Sequence, residues 1–133
     1  MSIFLKAIND FNISTQAKHH KIVREIVSEA IRMPIQLSPV DTGNFVSNWL
    51  LGLDSAVPWC VTGEKNPDRS AAVERLIARI PADAAAHNYN LVNNTSYAQL
   101  LEDGYGGRSP GAMIGLTEAA MPSIVNAAIG RNM

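Results

Sequence analysis

The sequence predicts an α+β fold, a small and mostly antiparallel sheet packed against a long N-terminal helix and a C-terminal helix. Three observations predict it: apolar residues at helical spacing over the first 33 positions, two short stretches that alternate in polarity, and a second helical spacing after a glycine-rich run. With 133 residues, all of this fits one domain spanning 1–133.

Phe4, Ile8 and Phe11 open the helical pattern, and Ile22, Ile26, Ala30 and Met33 continue it beside Val23 and Val27. Ser14 is a reasonable N-cap, so a break near residues 12–14 is expected. Pro34 and then Pro39 are expected to close the element, because each lacks a backbone donor. Val40-Asp41-Thr42-Gly43 reads as a rigid turn: Asp41 and Thr42 can fold side-chain oxygens onto nearby amides, and Gly43 can take a positive φ. From Phe45 the period becomes two, with Phe45, Trp49, Leu51 and Leu53 on one parity, which predicts a strand. A second extended piece over Val57 to Thr62 is weakened by Pro58. Asn66-Pro67 predicts a helix start, with Val73, Leu76, Ile77 and Ile80 on one face and Pro81 as its stop. Tyr89 to Asn93 alternates as a short strand, and Tyr97 to Glu102 predicts a short helix ending at Gly104. Ser109-Pro110 opens the last helix, with Met113, Leu116, Ala120, Ile124 and Ala128 on one side and either a kink at Pro122 or two helices in sequence.

Composition narrows the classes. The single cysteine, Cys60, excludes an internal disulfide and any site of several thiolates. Charged residues make up 17%, below the roughly 25% of ordinary domains, so part of the surface is expected to be uncharged polar or apolar area, which suits contact with other subunits. The net charge of −1 gives no overall attraction for phosphate backbones or anionic membranes. Basic and acidic groups number five and three over residues 1–40, four and five over 41–81, and two and four over 82–133, a drift that suits the two faces of a head-to-tail assembly. No apolar run is read as a membrane span, and Met1 to Lys6 lacks the charged leader of a signal peptide, so a protein made in the cytoplasm is expected.

Chemical motifs are sparse. His19 and His20 are adjacent, and neighbours on a helix point about 100° apart, so they cannot share an ion from one face. The histidines are read as solvated positions and Cys60 as a small core residue. Glu102 and Asp103 are sequence neighbours that do not converge on one substrate. Gly104-Tyr105-Gly106-Gly107-Arg108-Ser109 offers amides and a cation to an anion, yet it does not fit the phosphate-loop pattern and reads better as a loop. No catalytic residue, cofactor or metal site is assigned. The alternative to a structural role is a small phosphate-binding or hydrolytic enzyme using residues 104–109 and Arg108. Direct DNA binding would have to rest on Lys18, Lys21 and Arg24, without aromatic partners.

Val40-Asp41-Thr42-Gly43, after a long amphipathic helix and before Asn48-Trp49, resembles the opening of the neck, head-tail joining and tail-completion proteins of long-tailed bacteriophages. The family's second pattern is a strand ending in Asn, then Tyr-Ala, then Glu-x-Gly. It is matched by Asn93 or Asn94, Tyr97-Ala98 and Glu102-Asp103-Gly104. The likeness spans roughly residues 15–129. Asn44 stands where the family often has a basic residue, and residues 55–87 are long enough for an additional helix.

The resemblance implies a structural virion protein, not an enzyme. It would form a homo-oligomeric ring, six-fold, at the head-tail junction or tail end. Its partners would be other neck, connector or tail-tube proteins, with DNA passing through the lumen without sequence-specific binding and no membrane. The residues implied for assembly are Asp41, Thr42, Gly43, Trp49, Asn94, Tyr97, Glu102, Gly104 and Arg108, with Tyr105 and Met113 as exposed apolar positions buried between subunits.

Overall fold

The computed structural model describes residues 3–55, 61–104 and 112–133, without the side chains of 3–15. The fold is α+β, as expected. The first helix, α1 (Ile3–Gln36), has 34 residues and is about 51 Å long at 1.5 Å per residue. It is unbroken at residues 12–14, so the expected second N-cap at Ser14 is not used. It also runs two residues past Pro34, which therefore does not end it. Near a C-terminus a proline removes only one ladder bond, and here its ring lies fully buried while its carbonyl accepts from Ser38 Oγ at 2.7 Å.

A second correction follows the turn. Phe45 does not start a strand: Asn44–Ser47 form a one-turn helix, α2, and strand β1 is Trp49–Leu53. The spacing of Phe45 and Trp49 satisfies both periods, and the helical one prevails because Gly43 enters the turn at φ +88°. The two rings meet edge to face at 5.6 Å. β1 pairs antiparallel with β2 (Tyr89–Asn93) in a register running from Trp49 opposite Asn93 to Leu53 opposite Tyr89. Among the described residues these two strands are the whole sheet. Val61 and Thr62 are not in a strand, and the rest of the expected Val57–Thr62 piece, Cys60 included, lies outside the described residues.

Helix α3 (Arg69–Ile77) starts later than Asn66-Pro67 suggests. Asp68 is its N-cap, with Oδ1 accepting from Ser70 N–H at 2.9 Å, while Asn66 Oδ1 accepts from Asp68 N–H two residues earlier. Two Asx-type side chains in succession step the chain into the helix. A 3₁₀ turn at Ala84–Ala86 leads to β2. Helix α4 (Ala98–Glu102) ends, as expected, at Gly104, which takes φ +76°.

Helix α5 (Met113–Arg131) is continuous through Pro122. Pro122 is exposed, so the carbonyl it leaves without a partner can be solvated. By length and composition α5 is apolar enough to cross a bilayer, with mean hydropathy 1.2, which corrects the sequence expectation of no such run. In the fold it packs along α1, burying Met113, Thr117 and Ala128 and leaving Leu116 and Ile129 exposed.

The core gathers Ile31 and Ile35 of α1, Phe45, Val46, Trp49 and Leu51, Val73 and Leu76 of α3, Ile80 and Met113. Ser38 is its polar hub. Its hydroxyl accepts from Trp49 Nε1–H at 2.9 Å and lies 3.6 Å from Met113 Sδ, while its carbonyl accepts from Arg69 Nε and Nη2 at 3.0 and 2.7 Å. Two more guanidinium groups also bind carbonyls: Arg75 those of Ser47 and Trp49, and Arg24 those of Ile80 and Pro81. These forks satisfy main-chain acceptors where irregular chain meets the core, which a point-charge lysine does less well.

Candidate functional site

The turn after α1 and the helix after β2 lie far apart in sequence and side by side in space. Thr42 Oγ1 accepts from Asn44 N–H at 3.2 Å, the fold-back that the turn's composition predicts. Gly43 is pressed against residues 66–67: a Cβ there would lie 2.4 Å from Asn66 C and 2.5 Å from Pro67 N. This close approach and the positive φ both require glycine. Asn44 Nδ2 then donates to Tyr97 Oη at 2.6 Å, and the Phe45 and Tyr97 rings stand 6.0 Å apart. Asn93 Nδ2 donates to Phe45 O at 2.8 Å, and its Oδ1 accepts from Thr95 N–H and Oγ1, fixing the end of β2 beside α2.

Between these pieces lies an open groove of about 830 Å³. Residues 39–45 form one wall and Tyr97, Leu100 and Leu101 the other, with Leu100 48% exposed. The groove is mostly apolar, with Asp41, Thr42 and Asn44 as its polar groups. It offers shape and apolar surface for contact and, among the described residues, holds no acid-base pair.

Asp41, Thr42, Gly43 and Tyr97 therefore meet at one site. Glu102 and Gly104 stand beside it in a different role. Glu102 Oε1 and Oε2 accept from Ile114 and Gly115 N–H at 3.0 and 3.1 Å, placing a carboxylate on the N-terminus of α5. Replacing Glu102 by alanine is expected to cost about 1–2 kcal/mol in a urea melt, with Glu102→Gln recovering part of it; a loss no larger than a few tenths would show that the cap contributes little. Trp49 is buried in the core, so it supports the site without being displayed. Asn94 is half-buried directly after β2. Met113 is fully buried, not exposed as expected, because it seats the first turn of α5 against Ser38. Arg108, Tyr105 and the loop of the enzymatic alternative lie outside the described residues.

Sequence reasoning left Leu100 and Leu101 out of the site and marked Asn44 only as a departure from the family pattern. The signal for Asn44 was present, since it occupies the position where the resemblance leads one to expect a base. The histidine expectation also changes. His20 is half-buried, its Nδ1 accepting from Ala85 N–H at 3.0 Å, and His87 lies between two carboxylates. Arg24 of the basic cluster is engaged with carbonyls, leaving Lys18 and Lys21 as its exposed cations. No family model, curated protein or solved structure matches the chain.

Proposed function

We propose that this chain is a structural subunit of the head-tail junction of a long-tailed bacteriophage particle. It acts there as a neck or tail-completion protein, in a ring of six copies around the DNA channel, so that heads and tails join. One observation supports the reading above the others. The two stretches that carry the family resemblance meet: residues 40–43 and, from 97–104, Tyr97 line one exposed apolar groove, and the Asn44–Tyr97 hydrogen bond ties them. A ring closes through heterologous contacts, which need a rigid displayed surface more than reactive groups. The turn supplies that rigidity through Gly43 and the Thr42 fold-back. Low charge and the exposed Leu100, Leu116 and Ile129 are the surface such contacts cover. In this reading the exposed face of α5 meets neighbouring proteins, not lipid.

The test is Leu100→Asp in the encoding element, with the chain counted by peptide mass spectrometry in purified particles. Leu100 is exposed, so the melting temperature should move by no more than about 0.5 kcal/mol implies. The wild-type chain should be present at about six copies per particle, as a closed ring of that symmetry requires, and the variant should leave separate heads and unjoined tails. Absence of the wild-type chain from particles, or fully joined infectious particles carrying Leu100→Asp, overturns the reading.

A further inference from the structure

Residues 81–88 run as a strap from the end of α3 to β2 across α1, and three sets of bonds hold it. Arg24 Nη2 donates to Ile80 O and Pro81 O at 2.8 and 2.9 Å, at the start. In the middle Ala85 N–H donates to His20 Nδ1, and Tyr89 Oη donates to Ala84 O at 2.7 Å. The third set is of another kind. His87 Nδ1 stands 2.5 Å from Asp54 Oδ2, just beyond β1, and His87 Nε2 stands 3.1 Å from Asp83 Oδ1. A neutral imidazole carries one N–H, so one of these contacts would set a lone pair against a carboxylate oxygen; only the imidazolium donates both bonds. Because both ring nitrogens are engaged, this is not the arrangement of a general base.

Asp54 completes the fastening. Its Oδ1 accepts from Asn88 N–H at 2.9 Å and its own N–H donates to Asn88 O at 2.9 Å, with its backbone at φ +65°, where a non-glycine residue needs such support. Next to the strap lies a cleft of about 320 Å³ between α1, α5 and the sheet, lined by Ile26, Ala30, Leu51, Leu91 and Met121, with His87 at its edge.

We propose that His87 is a proton-dependent clasp that bridges Asp54 at the end of β1 and Asp83 on the strap while the ring is imidazolium, and that loosens the strap beside this cleft, by giving up one of the two bonds, when the ring loses its proton. The groups around it set the direction. The hydrogen bond to Asp54, then that to Asp83, raises the His87 pKa above the ordinary 6.5, and the bond to His87 holds Asp54 below the ordinary 3.8. From β2 the neighbouring Tyr89 phenol is pushed up by burial. From α1 the charged or titratable neighbours of the strap are Arg24 and His20, and α5 lines the cleft with Met121.

The clasp's contribution is fully present below the unfolded histidine value of about 6.5 and is lost as pH rises through the raised folded value. Asp54 works in the opposite sense, its contribution present above about 3.8 and lost as pH falls through its lowered value. The strap is thus held most tightly between those limits and loosens on the alkaline side.

The test is NMR on the whole chain, following the His87 ring protons and the Asn88 amide across pH. The expected midpoint for His87 lies above about 6.5, and Asn88 exchange, corrected for its intrinsic rate, quickens several-fold through that midpoint. Asp83→Asn, on the exposed strap, should lower the midpoint with the helical signal unchanged. A midpoint at or below the reference, or Asn88 exchange that stays constant through the midpoint, overturns the clasp. The outcome is independent of the ring reading.

Discussion

Gly43→Ala is expected to destabilise the protein by about 3 kcal/mol or more, lowering the melting temperature by roughly 10 °C for a chain of this size. Two causes add. A left-handed backbone costs an L-residue roughly 1–2 kcal/mol. The new methyl would also sit 2.4–2.7 Å from Asn66 C, Asn66 O and Pro67 N, which are backbone atoms that cannot rotate away. Relief requires residues 66–67 to retreat, and with them the bonds that Ser47 Oγ makes to Asn66 N–H and O. The disturbance enters the groove through Asn44, the next residue. Gly63→Ala is the control, because nothing lies within 4 Å of a Cβ there, and it should stay within about 0.5 kcal/mol. Equal melting temperatures for the two variants would mean that the turn does not press on residues 66–67.

Asn48→Leu is expected to be comparably severe, at about 3 kcal/mol, although leucine matches the side chain in size and suits a buried position. Asn48 is fully buried and works as a two-way connector. Its Nδ2 donates to Asn44 O at 2.7 Å and to Thr62 O at 3.4 Å, and its Oδ1 accepts from Thr62 N–H at 2.8 Å. Leucine would leave the Thr62 amide and two carbonyls without these partners, each costing about 1–3 kcal/mol where water cannot reach. Asn48→Asp keeps the shape but sets a carboxylate oxygen against the Asn44 and Thr62 carbonyls in place of the donor, so it probes the polar contacts with the packing unchanged. In urea melts both variants should fall well below wild type; if leucine were neutral, the bonds would be incidental to stability.

The helices and strands that pack by one periodic face were legible in the sequence. Ile22, Ile26, Ala30 and Met33, beside Val23 and Val27, announce α1, though the face it buries most deeply is that of Ile31 and Ile35, and Tyr89 to Asn93 announces β2, because burial of one face leaves a repeating trace. Boundaries governed by single side chains were not. Pro34 ought to stop α1, yet a buried ring and the Ser38 hydroxyl stabilise two further residues. Phe45 and Trp49 fit both a strand and a helical turn, and Gly43 decided between them through its conformation. Asn66 has the right chemistry for a cap, but Asp68 stands closer to the first free amides. The site was half legible. Asp41, Thr42 and Gly43 are a recognisable string, but their meeting with Tyr97 and Leu100 depends on sheet register, which leaves no local mark. His87 was unreadable for the same reason, since its partner Asp54 is 33 positions away.

The pairing of α1 with α5 bears on how the chain acquires its fold during synthesis. Glu25 in α1 accepts from Arg131 Nε and Asn132 Nδ2, at sequence separations of 106 and 107, while Ser38 meets Met113 at the other end of the same helix pair. Contacts of such span form only after the intervening chain has been made and its loop entropy overcome. While α5 is still inside the ribosome, the face of α1 it will cover has no native partner. The half-made protein therefore carries an unmatched apolar helix face into the cell, and chaperone occupancy should peak on nascent chains that stop just short of α5.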